Sequence, residues 1–418
     1  MINNILNKYL NNEKSVIVRN YSLEPIIKLL DNLQNPHKNF KSIHIAGTNG
    51  KGSTAFLLSA ILENSGYKTG LYISPHLSKI NERIKINLDD IDDIPLEKYL
   101  KLIDSVCCDK SLSPTYFDIL TAAAFKYFSD ESIDIAIIET GLGGRLDSTN
   151  VITPEISVIT DVSMDHTNIL GETIEEITKE KCGIIKPNIP VITSNVDLKI
   201  ISIIREYAEK NMSQLYTLNC DFFTKNIKRD NNYFVFDYFS DKYELRDIKI
   251  SLFPIHQIKN TTLVITALNY LKLYSSYNIS DDTIYKTLEN IKVPGRFQTL
   301  NDRPLIVYDP AHNFDALNNL INDLNKFYPD KNKLFFVSMM KDKANNKILE
   351  LLKNVNAVYI TLPDERGYIP DKKIFKIISD KNNLIEIISN INTIDEMIIF
   401  TGTFRIYDYA LSAIKSCK

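Results

Sequence analysis

Long apolar runs, a charge excess and paired cysteines are all missing from this sequence, and each absence excludes a class of protein. No stretch approaches the roughly 18 uninterrupted apolar residues of a membrane-spanning helix. Lysine and arginine number 49 against 52 aspartates and glutamates, which argues against a protein that coats nucleic acid or an anionic membrane. The N-terminal MINNILNKYLNN has no basic segment before an apolar core. We therefore expect a cytoplasmic protein with neither nucleic-acid nor membrane partners.

Cysteine is scarce and scattered along the chain. The five cysteines are odd in number and lack CxxC spacing, so neither a disulfide framework nor a zinc site is predicted. They are Cys107, Cys108, Cys182, Cys220 and Cys417. Cys107 and Cys108 end a predicted helix, and we expect both to be buried or inert thiols.

The length of 418 residues exceeds one ordinary core, so two or three domains are expected. From Ser42 to about Ile291, β-branched runs alternate with segments of helical period. The predicted strands are Ser42–Ala46, Gly70–Ser74, Ile133–Thr140, Glu155–Asp161 and Ile189–Thr193. The predicted helices are Ser53–Ser65, Pro95–Cys107, Pro114–Phe128, Thr173–Ile185 and Leu198–Lys210. Runs such as IDIAII are typical of strands buried on both faces of a parallel sheet, which predicts an α/β fold.

Two later segments change this pattern. Phe222–Ile250 alternates polar and apolar residues around the turn-like Asp230-Asn231-Asn232, which predicts an antiparallel meander added to the main sheet. The polar segment Val293–Pro304 contains proline and glycine, and a second strand–helix alternation follows it. Its predicted elements are the strands LIVYD, LFFVS, AVYIT and MIIFTG and helices from Asn313 and near Asn345–Leu352. We place a domain boundary close to Arg296, giving domains of residues 1–296 and 297–418.

The most specific local motif is IHIAGTNGKGST, from Ile43 to Thr54. Its glycines allow backbone amides to face an anion, the start of a helix favours negative charge, and Lys51 adds a point charge. Gly52 takes the position that a hydroxyl residue holds in the GxxxxGK[ST] pattern. The predicted nucleotide-binding residues are Gly47, Thr48, Asn49, Gly50, Lys51, Gly52, Ser53 and Thr54. The loop alone does not distinguish a motor, a switch, a kinase or a ligase.

Further motifs follow in order along nearly the whole chain. They are YSLEPIIKLL (Tyr21–Leu30), GLYISPHL (Gly70–Leu77), NERI (Asn81–Ile84), FDILTAAAF (Phe117–Phe125), ETGLGGRLDSTN (Glu139–Asn150), DHTNILGETIEEITKEKCGIIKP (Asp165–Pro187), HQIKN (His256–Asn260), PGRF (Pro294–Phe297), DPAHN (Asp309–Asn313) and KDK (Lys341–Lys343). Together with the phosphate loop, this order resembles the folylpolyglutamate synthase/dihydrofolate synthase family of the Mur-ligase superfamily. The resemblance implies a P-loop Mur-ligase-type central domain, with a mainly parallel sheet and a small antiparallel addition, and a C-terminal Rossmann-like α/β domain.

The same resemblance implies a reaction and its small-molecule partners. An ATP-dependent ligase of this kind joins L-glutamate to a folate-type acid, dihydropteroate or a reduced folate, through an acyl phosphate. Mg²⁺ is the implied metal, and Mn²⁺ could also serve because imidazole is an unusual partner for magnesium. We expect the enzyme to be a monomer.

Glu139 ends a predicted buried strand, the usual position of a ligand residue in a parallel sheet, and capping the next turn is the alternative role. By resemblance, the magnesium ligands are Ser74, Glu139 and His166. Lys181 matches a lysine that is carbamylated in the superfamily, and a plain helix-surface lysine is the alternative. Lys51, Lys181 and His312 form the implied catalytic set.

The resemblance also implies the other nucleotide and substrate contacts. Asn260 would meet the adenine, Arg296 the phosphates, Asp309 the ribose side and His312 the γ-phosphate region. Asp309-Pro310 and Asn313-Phe314 depart from the Asp-Gly and Asn-Pro common in the family, which leaves the backbone of that loop open. Phe117 and Asp147 are candidates for contact with the folate acid, and a core position is the alternative for Phe117.

Three other functions are compatible with parts of the sequence. Another amino-acid ligase of the superfamily is disfavoured by GLGGRLDSTN and HQIKN, and a nucleic-acid-dependent NTPase by the balanced charge. A nucleotide-binding regulator without catalysis would lack metal or lysine positions that are all present in this chain. The sequence leaves the acceptor open, and we favour an enzyme that uses both dihydropteroate and tetrahydrofolate.

Overall fold

The computed structural model describes residues 2–16, 22–230, 233–362, 366–391 and 395–417. The chain divides into two compact units. The first unit comprises Met1–His76, Ile80–Ser251 and Ile258–Ile291, and the second comprises Leu77–Lys79, Leu252–Gln257 and Lys292–Lys418. The domain boundary expected near Arg296 stays a prediction.

The first unit alternates strands and helices over most of its length. Its strands are β1 Lys41–Ala46, β2 Thr69–Tyr72, β3 Ile84–Ile86, β4 Asp89–Asp90, β5 Ile135–Glu139, β6 Ile156–Ile159, β7 Val191–Thr193, β8 Leu215–Thr217, β9 Phe222–Asp230, β10 Tyr233–Ser240 and β11 Tyr243–Ile250. Its helices are α1 Ile2–Val16, α2 Glu24–Asn32, α3 Lys51–Asn64, α4 Asp93–Asp109, α5 Tyr116–Asp130, α6 Thr167–Leu170, α7 Ile174–Cys182, α8 Leu198–Lys210, α9 Gln257–Tyr274 and α10 Asp281–Asn290. Short 3₁₀ turns cover Pro36–Lys38, Ile80–Arg83 and Ser148–Val151.

The main sheet has eight strands in the order β4-β3-β2-β5-β1-β6-β7-β8. From β2 to β8 all neighbouring strands are parallel, while β3 and β4 form an antiparallel edge. Both faces of the sheet are covered, because successive side chains of β5 point to opposite faces and all five of its residues are buried. The parallel sheet and the strand–helix alternation predicted from the sequence are therefore confirmed.

The predicted meander is antiparallel, but it does not join the main sheet. Strands β9, β10 and β11 form a sheet of their own in the order β11-β10-β9. The apolar side chains of β10, including Phe236 and Tyr238, are buried, and the Tyr238 hydroxyl pairs with Thr266 Oγ1 of α9 at 3.1 Å. The meander thus uses its apolar face to cover a helix rather than to extend the large sheet. Asn231 and Asn232 of the expected turn lie outside the described residues.

The second unit is built on a six-stranded sheet. Its strands are β12 Gln298–Asn301, β13 Leu305–Tyr308, β14 Asn332–Val337, β15 Ala357–Ile360, β16 Lys376–Ile378 and β17 Glu396–Thr401, and its helices are α11 Phe314–Phe327, α12 Asn346–Lys353, α13 Lys381–Asn390 and α14 Ile406–Ser416. The strand order is β12-β13-β17-β14-β15-β16, parallel except for β12. A mainly parallel sheet with helices between its strands confirms the Rossmann-like α/β prediction.

The cysteines differ in how far they are buried. All five cysteines are free, Cys107 and Cys182 are buried, and Cys108, which precedes the last residue of α4, is exposed. Burial raises the pKa of the Cys182 thiol to about 12 and that of Cys107 to about 11, which makes both thiols unreactive at neutral pH. In the part of the chain that the structure describes, no helix has the length and apolar character needed to cross a membrane.

Candidate functional site

Four adjacent parallel strands bring most of the predicted site residues of the first unit to one edge of the main sheet. Strands β2, β5, β1 and β6 are neighbours, and the register pairs Ile45 with Glu139 and Ala46 with Ile159. Ser74 follows β2, Glu139 ends β5, the phosphate loop follows β1 and His166 follows β6. Ligands of parallel α/β sheets bind outside the carboxyl ends of the strands. This edge is therefore the candidate site.

The phosphate loop has a backbone that requires two of its glycines. Gly50 has φ +91° and caps α3, and a Cβ at this position would lie 2.4 Å from Asn260 Oδ1. A Cβ at Gly47 would lie 1.8 Å from Thr160 Oγ1. The first intrahelical bond is donated by Thr54 N–H to Gly50 O at 2.9 Å. The amides of Lys51, Gly52 and Ser53 therefore precede the helical ladder and form an anion-binding helix start.

The loop after β6 braces the phosphate loop from one side. Thr48 N–H and Asn49 N–H both donate to Asp161 O, at 2.7 and 3.2 Å. The Thr48 hydroxyl exchanges hydrogen bonds of 3.1 Å with the backbone of Ser163. Asn260 of α9, a buried residue, lies against Gly50. The predicted adenine-binding residue is thus beside the phosphate loop.

A lysine and a carboxylate meet at the mouth of the loop. Lys51 Nζ donates to Gly47 O at 3.1 Å and to Thr48 O at 3.4 Å, and it lies 3.8 Å from Glu139 Oε1. Glu139 is only 3% exposed. Its Oε2 accepts a hydrogen bond of 3.1 Å from the backbone N–H of Ser74. Lys51, Glu139 and Ser74, predicted from separate motifs, are therefore in one cluster.

Lys181 reaches the same loop from α7. Its side chain is buried, and Nζ donates to Gly47 O at 2.9 Å. Helix α7 begins with a capping box formed by Thr173 and Glu176. Its C-terminal end packs tightly on the GLGG loop, because a Cβ at Gly144 would lie 2.9 Å from Lys181 O. Lys181 is thus a buried lysine of the site, and the helix-surface alternative is excluded by its burial.

His166 lies in a strained loop conformation beside the site. Its φ of 49° is rare for a residue other than glycine, and it caps the short helix α6. Its side chain is 36% exposed, and Nε2 lies 3.9 Å from Asp165 Oδ2. Positive φ at a non-glycine residue is a pattern that functional positions often show.

The donor chemistry at this edge fits a magnesium ion that shares its ligands with a substrate. Within the described ranges, no three His, Cys, Asp or Glu side chains are grouped as a metal cage. Magnesium, however, usually takes one or two carboxylates and completes its shell with water and phosphate oxygens. The Glu139 carboxylate beside Ser74 has these properties, and the buried position leaves it few competing partners from solvent.

The two predicted substrate residues have well-defined surroundings. Phe117 is half-buried, its ring centroid is 5.8 Å from that of Tyr72, and a Cβ at Gly141 would lie 2.6 Å from the ring. Asp147 is buried, accepting from Leu142 N–H at 2.8 Å and from Thr149 N–H at 3.0 Å. Burial raises the pKa of Asp147, and the hydrogen bonds from Thr149 and the loop amides oppose that rise. Its contact with substrate stays a prediction.

Arg296, Asp309 and His312 form a second cluster, within the second unit. Asp309 directly follows β13 and accepts from Phe297 N–H at 3.0 Å and Ala311 N–H at 3.1 Å. Burial raises the pKa of Asp309, and the Arg296 charge opposes the rise. The Arg296 guanidinium lies 5.3 Å from the ring centre of Phe404, and the His312 ring is 6.2 Å from the same ring. His312 Nδ1 lies 2.8 Å from Pro310 O. A carbonyl oxygen can only accept, so Nδ1 carries a proton and donates it.

Sequence reasoning missed Thr160, Asp161 and Ser163 in the first unit and Phe404 in the second. Each of these residues follows the carboxyl end of a parallel strand, β6 or β17. The strand predictions therefore carried a usable signal, because loops at that edge form ligand sites in α/β sheets. What the sequence did not indicate is that these loops contact the phosphate loop and Arg296.

Two domain families match the chain. The Mur ligase middle domain matches residues 45–268, and the glutamate ligase domain of Mur ligases matches residues 295–404. The first match includes the phosphate loop, Glu139, His166, Lys181 and Asn260. The second includes Arg296, Asp309 and His312.

Individual relatives cover most of the chain. The dihydrofolate synthase/folylpolyglutamate synthase of Bacillus subtilis is 35% identical over 338 residues, which are 78% of this chain and 77% of that protein. A solved folylpolyglutamate synthase complex with AMPPCP and folate has a TM-score of 0.84 at 31% identity and covers 95% of both chains. A solved bifunctional folylpolyglutamate synthase/dihydrofolate synthase, with Mn, AMPPNP and L-glutamate bound, has a TM-score of 0.83 at 27% identity and covers 94% of both chains.

Proposed function

This chain belongs to the folylpolyglutamate synthase/dihydrofolate synthase family of Mur-type ligases, and from that premise we propose how it adds L-glutamate to a folate-type carboxylate. The enzyme is an ATP-dependent ligase. The observation that carries the proposal is the convergence of Lys51 and Lys181 on Gly47 O, with Glu139 beside Lys51. Two cations on one carbonyl, the buried Lys181 and the partly buried Lys51, form a site suited to the phosphates of ATP.

The chemistry explains why such a site is needed. A carboxylate is a poor electrophile, so its oxygen takes the γ-phosphoryl group of ATP, ADP leaves with the bridging oxygen, and an acyl phosphate forms. The glutamate amine then attacks the carbonyl carbon, and phosphate leaves with the electron pair of the broken C–O bond. Negative charge is greatest on the phosphoryl oxygens during transfer, where Lys51 and the amides at the start of α3 hold it.

Magnesium binding is assigned to Ser74, Glu139 and His166. The ion would supply positive charge to the phosphate oxygens, and the Mn and AMPPNP in the related bifunctional enzyme support a metal–nucleotide site here. Glu139 contributes a buried carboxylate, and Ser74, whose backbone already bonds Glu139, contributes a hydroxyl next to it. His166 would contribute an imidazole nitrogen from the loop after β6, where its side chain is 36% exposed.

Carbamylation of Lys181 is part of the same proposal. Lys51 and Lys181 both donate to Gly47 O, so two ammonium groups lie near each other in a buried place. If Lys181 Nζ loses a proton, its lone pair would attack CO₂, and loss of a second proton from nitrogen would leave a carbamate anion in place of one of these cations. Electrostatic repulsion would fall, and a carboxylate-like group would be available to the metal.

The remaining contacts are assigned by chemistry and motif. Asn260, beside Gly50, would meet the adenine. In the second unit, Arg296 would bind phosphate oxygens, Asp309 the ribose side and His312 the γ-phosphate region. Both oxygens of Asp309 accept from the chain's own amides, so its role in holding the Phe297 and Ala311 backbone comes in addition to any ribose contact.

Phe117 and Asp147 are assigned to the folate acid. Phe117 is half-buried against Gly141, so one part of the ring is available to a pterin. We favour a bifunctional enzyme that uses both dihydropteroate and tetrahydrofolate, as the name of the Bacillus subtilis relative indicates for that protein. The cytoplasmic location and the monomeric state stay predictions.

The function is tested with two acceptors assayed separately. Purified protein, ATP, Mg²⁺ and labelled glutamate are incubated with dihydropteroate in one reaction and with tetrahydrofolate in the other. Labelled product from both acceptors is expected. Product from only one acceptor would show that the bifunctional proposal is wrong, and product from neither would overturn the substrate class.

A further inference from the structure

A hydrogen-bonded series of buried side chains begins at His44 on strand β1, the strand that leads into the phosphate loop. His44 Nε2 bonds Thr149 Oγ1 at 2.8 Å, and Thr149 Oγ1 donates to Asp147 Oδ1 at 2.5 Å. His44 and Thr149 are 0% exposed. The other oxygen of Asp147 accepts from Leu142 N–H at 2.8 Å. The three side chains thus connect the central strand of the sheet to the Gly141–Gly144 loop.

The number of protons available determines which atom donates in each hydrogen bond of this series. The Asp147 carboxylate accepts from Leu142 N–H, Thr149 N–H and the Thr149 hydroxyl, so the single hydroxyl proton of Thr149 is used. Thr149 Oγ1 must therefore accept from His44, which fixes the proton of the ring on Nε2. Burial lowers the pKa of His44 to about 3, so the ring is neutral at ordinary pH.

A second branch supports the same segment. Ser148 Oγ donates to Asp118 Oδ1 at 2.6 Å, and Asp118 forms the capping box of α5 with Thr115. Residues 147–149 are therefore held by β1 on one side and by the helix that carries Phe117 on the other.

The Gly141–Gly144 loop, which Asp147 holds, has a proposed site residue next to each of its ends. Glu139 lies two residues before Gly141, and the far end of the loop packs against α7 at Lys181 O. A Cβ at Gly141 or Gly144 would lie closer than 3.0 Å to its neighbours, so the loop has little room to move while it is held. Because only Thr140 separates Glu139 from this loop, we expect a shift of the loop to displace the Glu139 carboxylate.

We propose that His44 and Thr149 are positioning residues of the ligase site, acting through Asp147 to hold the Gly141–Gly144 loop and with it Glu139. This inference rests on the proposed function for its catalytic consequence, but the holding of the loop is a property of the chain alone. Neither residue contacts the reacting groups in this proposal.

The test compares hydrogen exchange and kinetics in the full chain. Thr149→Val removes the hydroxyl at nearly constant volume, and Thr149→Ser restores it. His44→Leu removes the donor, and His44→Gln offers an amide N–H near the position of Nε2. Ser59→Ala is the matched control. Ser59 pairs with Thr69 through a buried hydroxyl–hydroxyl bond of 3.0 Å. Thr69 is the first residue of β2, so this bond is at the end of the strand away from the candidate site.

Exchange of backbone amides is measured by mass spectrometry on the peptide containing Gly141 and Leu142, without ligand. Thr149→Val and His44→Leu are expected to accelerate exchange there by about tenfold or more, because the loop opens locally more often. Turnover should fall by about tenfold to a hundredfold, as expected when a catalytic group is slightly misplaced. The Mg²⁺ concentration for half-maximal rate should rise, while the KM for ATP stays within about twofold. Thr149→Ser and His44→Gln should recover most of both properties.

Unchanged exchange and unchanged Mg²⁺ dependence in folded Thr149→Val or His44→Leu protein would overturn the proposal. So would equal effects in Ser59→Ala, since these would report a general loss of stability. An inactive wild-type enzyme would instead contradict the proposed function, and the exchange measurement would still decide whether the loop is held as described.

Discussion

Gly47 is the residue at which the separate motifs meet. Its carbonyl accepts from Lys51 at 3.1 Å and from Lys181 at 2.9 Å, while its Cα lies too close to Thr160 to allow any side chain. A carbonyl surrounded by two ammonium groups stabilises both, and the excess positive charge favours an anionic ligand. At the residue scale, we expect catalysis to need both lysines, Lys51 for its contact with phosphate and Lys181 for the anion that carbamylation would create.

Lys51→Ala should abolish ligation in a protein that still folds. Removal of one charge-assisted phosphate contact in a closed site costs about 3 kcal/mol or more of transition-state stabilisation, a loss above about a hundredfold in kcat/KM. The measurement is kcat/KM for ATP, with circular dichroism to establish folding. Lys286→Ala, on a side chain that is 73% exposed, is the control and should keep full activity. Near-wild-type turnover in folded Lys51→Ala protein would contradict the phosphate-loop assignment.

Lys181→Ala should be nearly inactive and should regain part of its activity with short carboxylic acids. The reason is that a small acid can replace the anion that carbamylation would create at the buried Nζ position. Lys179→Ala, an exposed position on the same helix, should behave as the wild type. Mass spectrometry of active enzyme checks the modification directly, and an unmodified lysine in fully active protein would rule it out.

At the scale of elements, the three-stranded meander shows how one carboxylate can organise two irregular strand pairings. The ladders of β10 with β9 and with β11 both shift register around Asp237. Asp237 Oδ2 accepts from Asn226 Nδ2 at 2.6 Å, and Oδ1 accepts from Asp247 N–H at 2.8 Å. Asn226 and Asp247 have φ values of 54° and 51°, so the carboxylate holds a bulge on each side.

Asp237→Ala should lower the free energy of unfolding by about 1 kcal/mol, since two hydrogen bonds to the bulges are lost. The bond from Asp247 N–H is the main cause of a lowered pKa at Asp237. A carboxyl whose pKa is lower in the folded state stabilises the protein above its unfolded pKa, and this stabilisation disappears as pH falls through the folded value. Urea unfolding at several pH values should therefore show a wild-type advantage over Asp237→Ala that shrinks in acid. A difference in the free energy of unfolding that does not change with pH would contradict the stabilising role of the ionised Asp237 carboxylate.

At the scale of the whole molecule, the chain enters the second unit in three separate segments. Residues Leu252–Gln257 leave β11, join the second unit and return to start α9, which carries Asn260. This short segment is anchored inside the second unit by Asp323, which accepts from Ile255 N–H at 2.8 Å. Phe253 packs its ring 4.2 Å from that of Phe297, and it also contacts Phe327 and Tyr328.

Phe253→Ala should destabilise the second unit by about 3 to 5 kcal/mol, because a buried aromatic is removed from a cluster that cannot fully collapse. Urea unfolding followed by two probes, one for each unit, measures the loss. Phe314→Ala, at a side chain that is 38% exposed, is the control and should lose clearly less. Equal losses in the two variants would show that the Phe253 cluster is not an anchor.

Local features were the ones that the sequence determined by itself. The phosphate loop, the strand that ends at Glu139, the parallel sheet of the first unit and the alternation of the second follow from glycine spacing and from runs of apolar residues. These signals depend on neighbours in the chain, so they can be recognised without knowledge of the fold. The family motifs placed Lys181, Asn260 and Arg296 as candidates and implied ligand contacts, but they did not indicate which residues of the protein these side chains meet.

Only the tertiary structure decided which of these residues meet. Lys181 and Gly47 are 134 positions apart, His44 and Thr149 are 105 apart, and no local pattern couples either pair. The meander forms its own sheet because its apolar face covers α9, which a strand pattern does not reveal. The positions of Leu77–Lys79 and Leu252–Gln257 in the second unit likewise depend on contacts with distant residues. Local sequence determines the helices and strands, because its signals come from neighbouring residues. Packing between elements far apart in sequence determines the partners of each buried polar group.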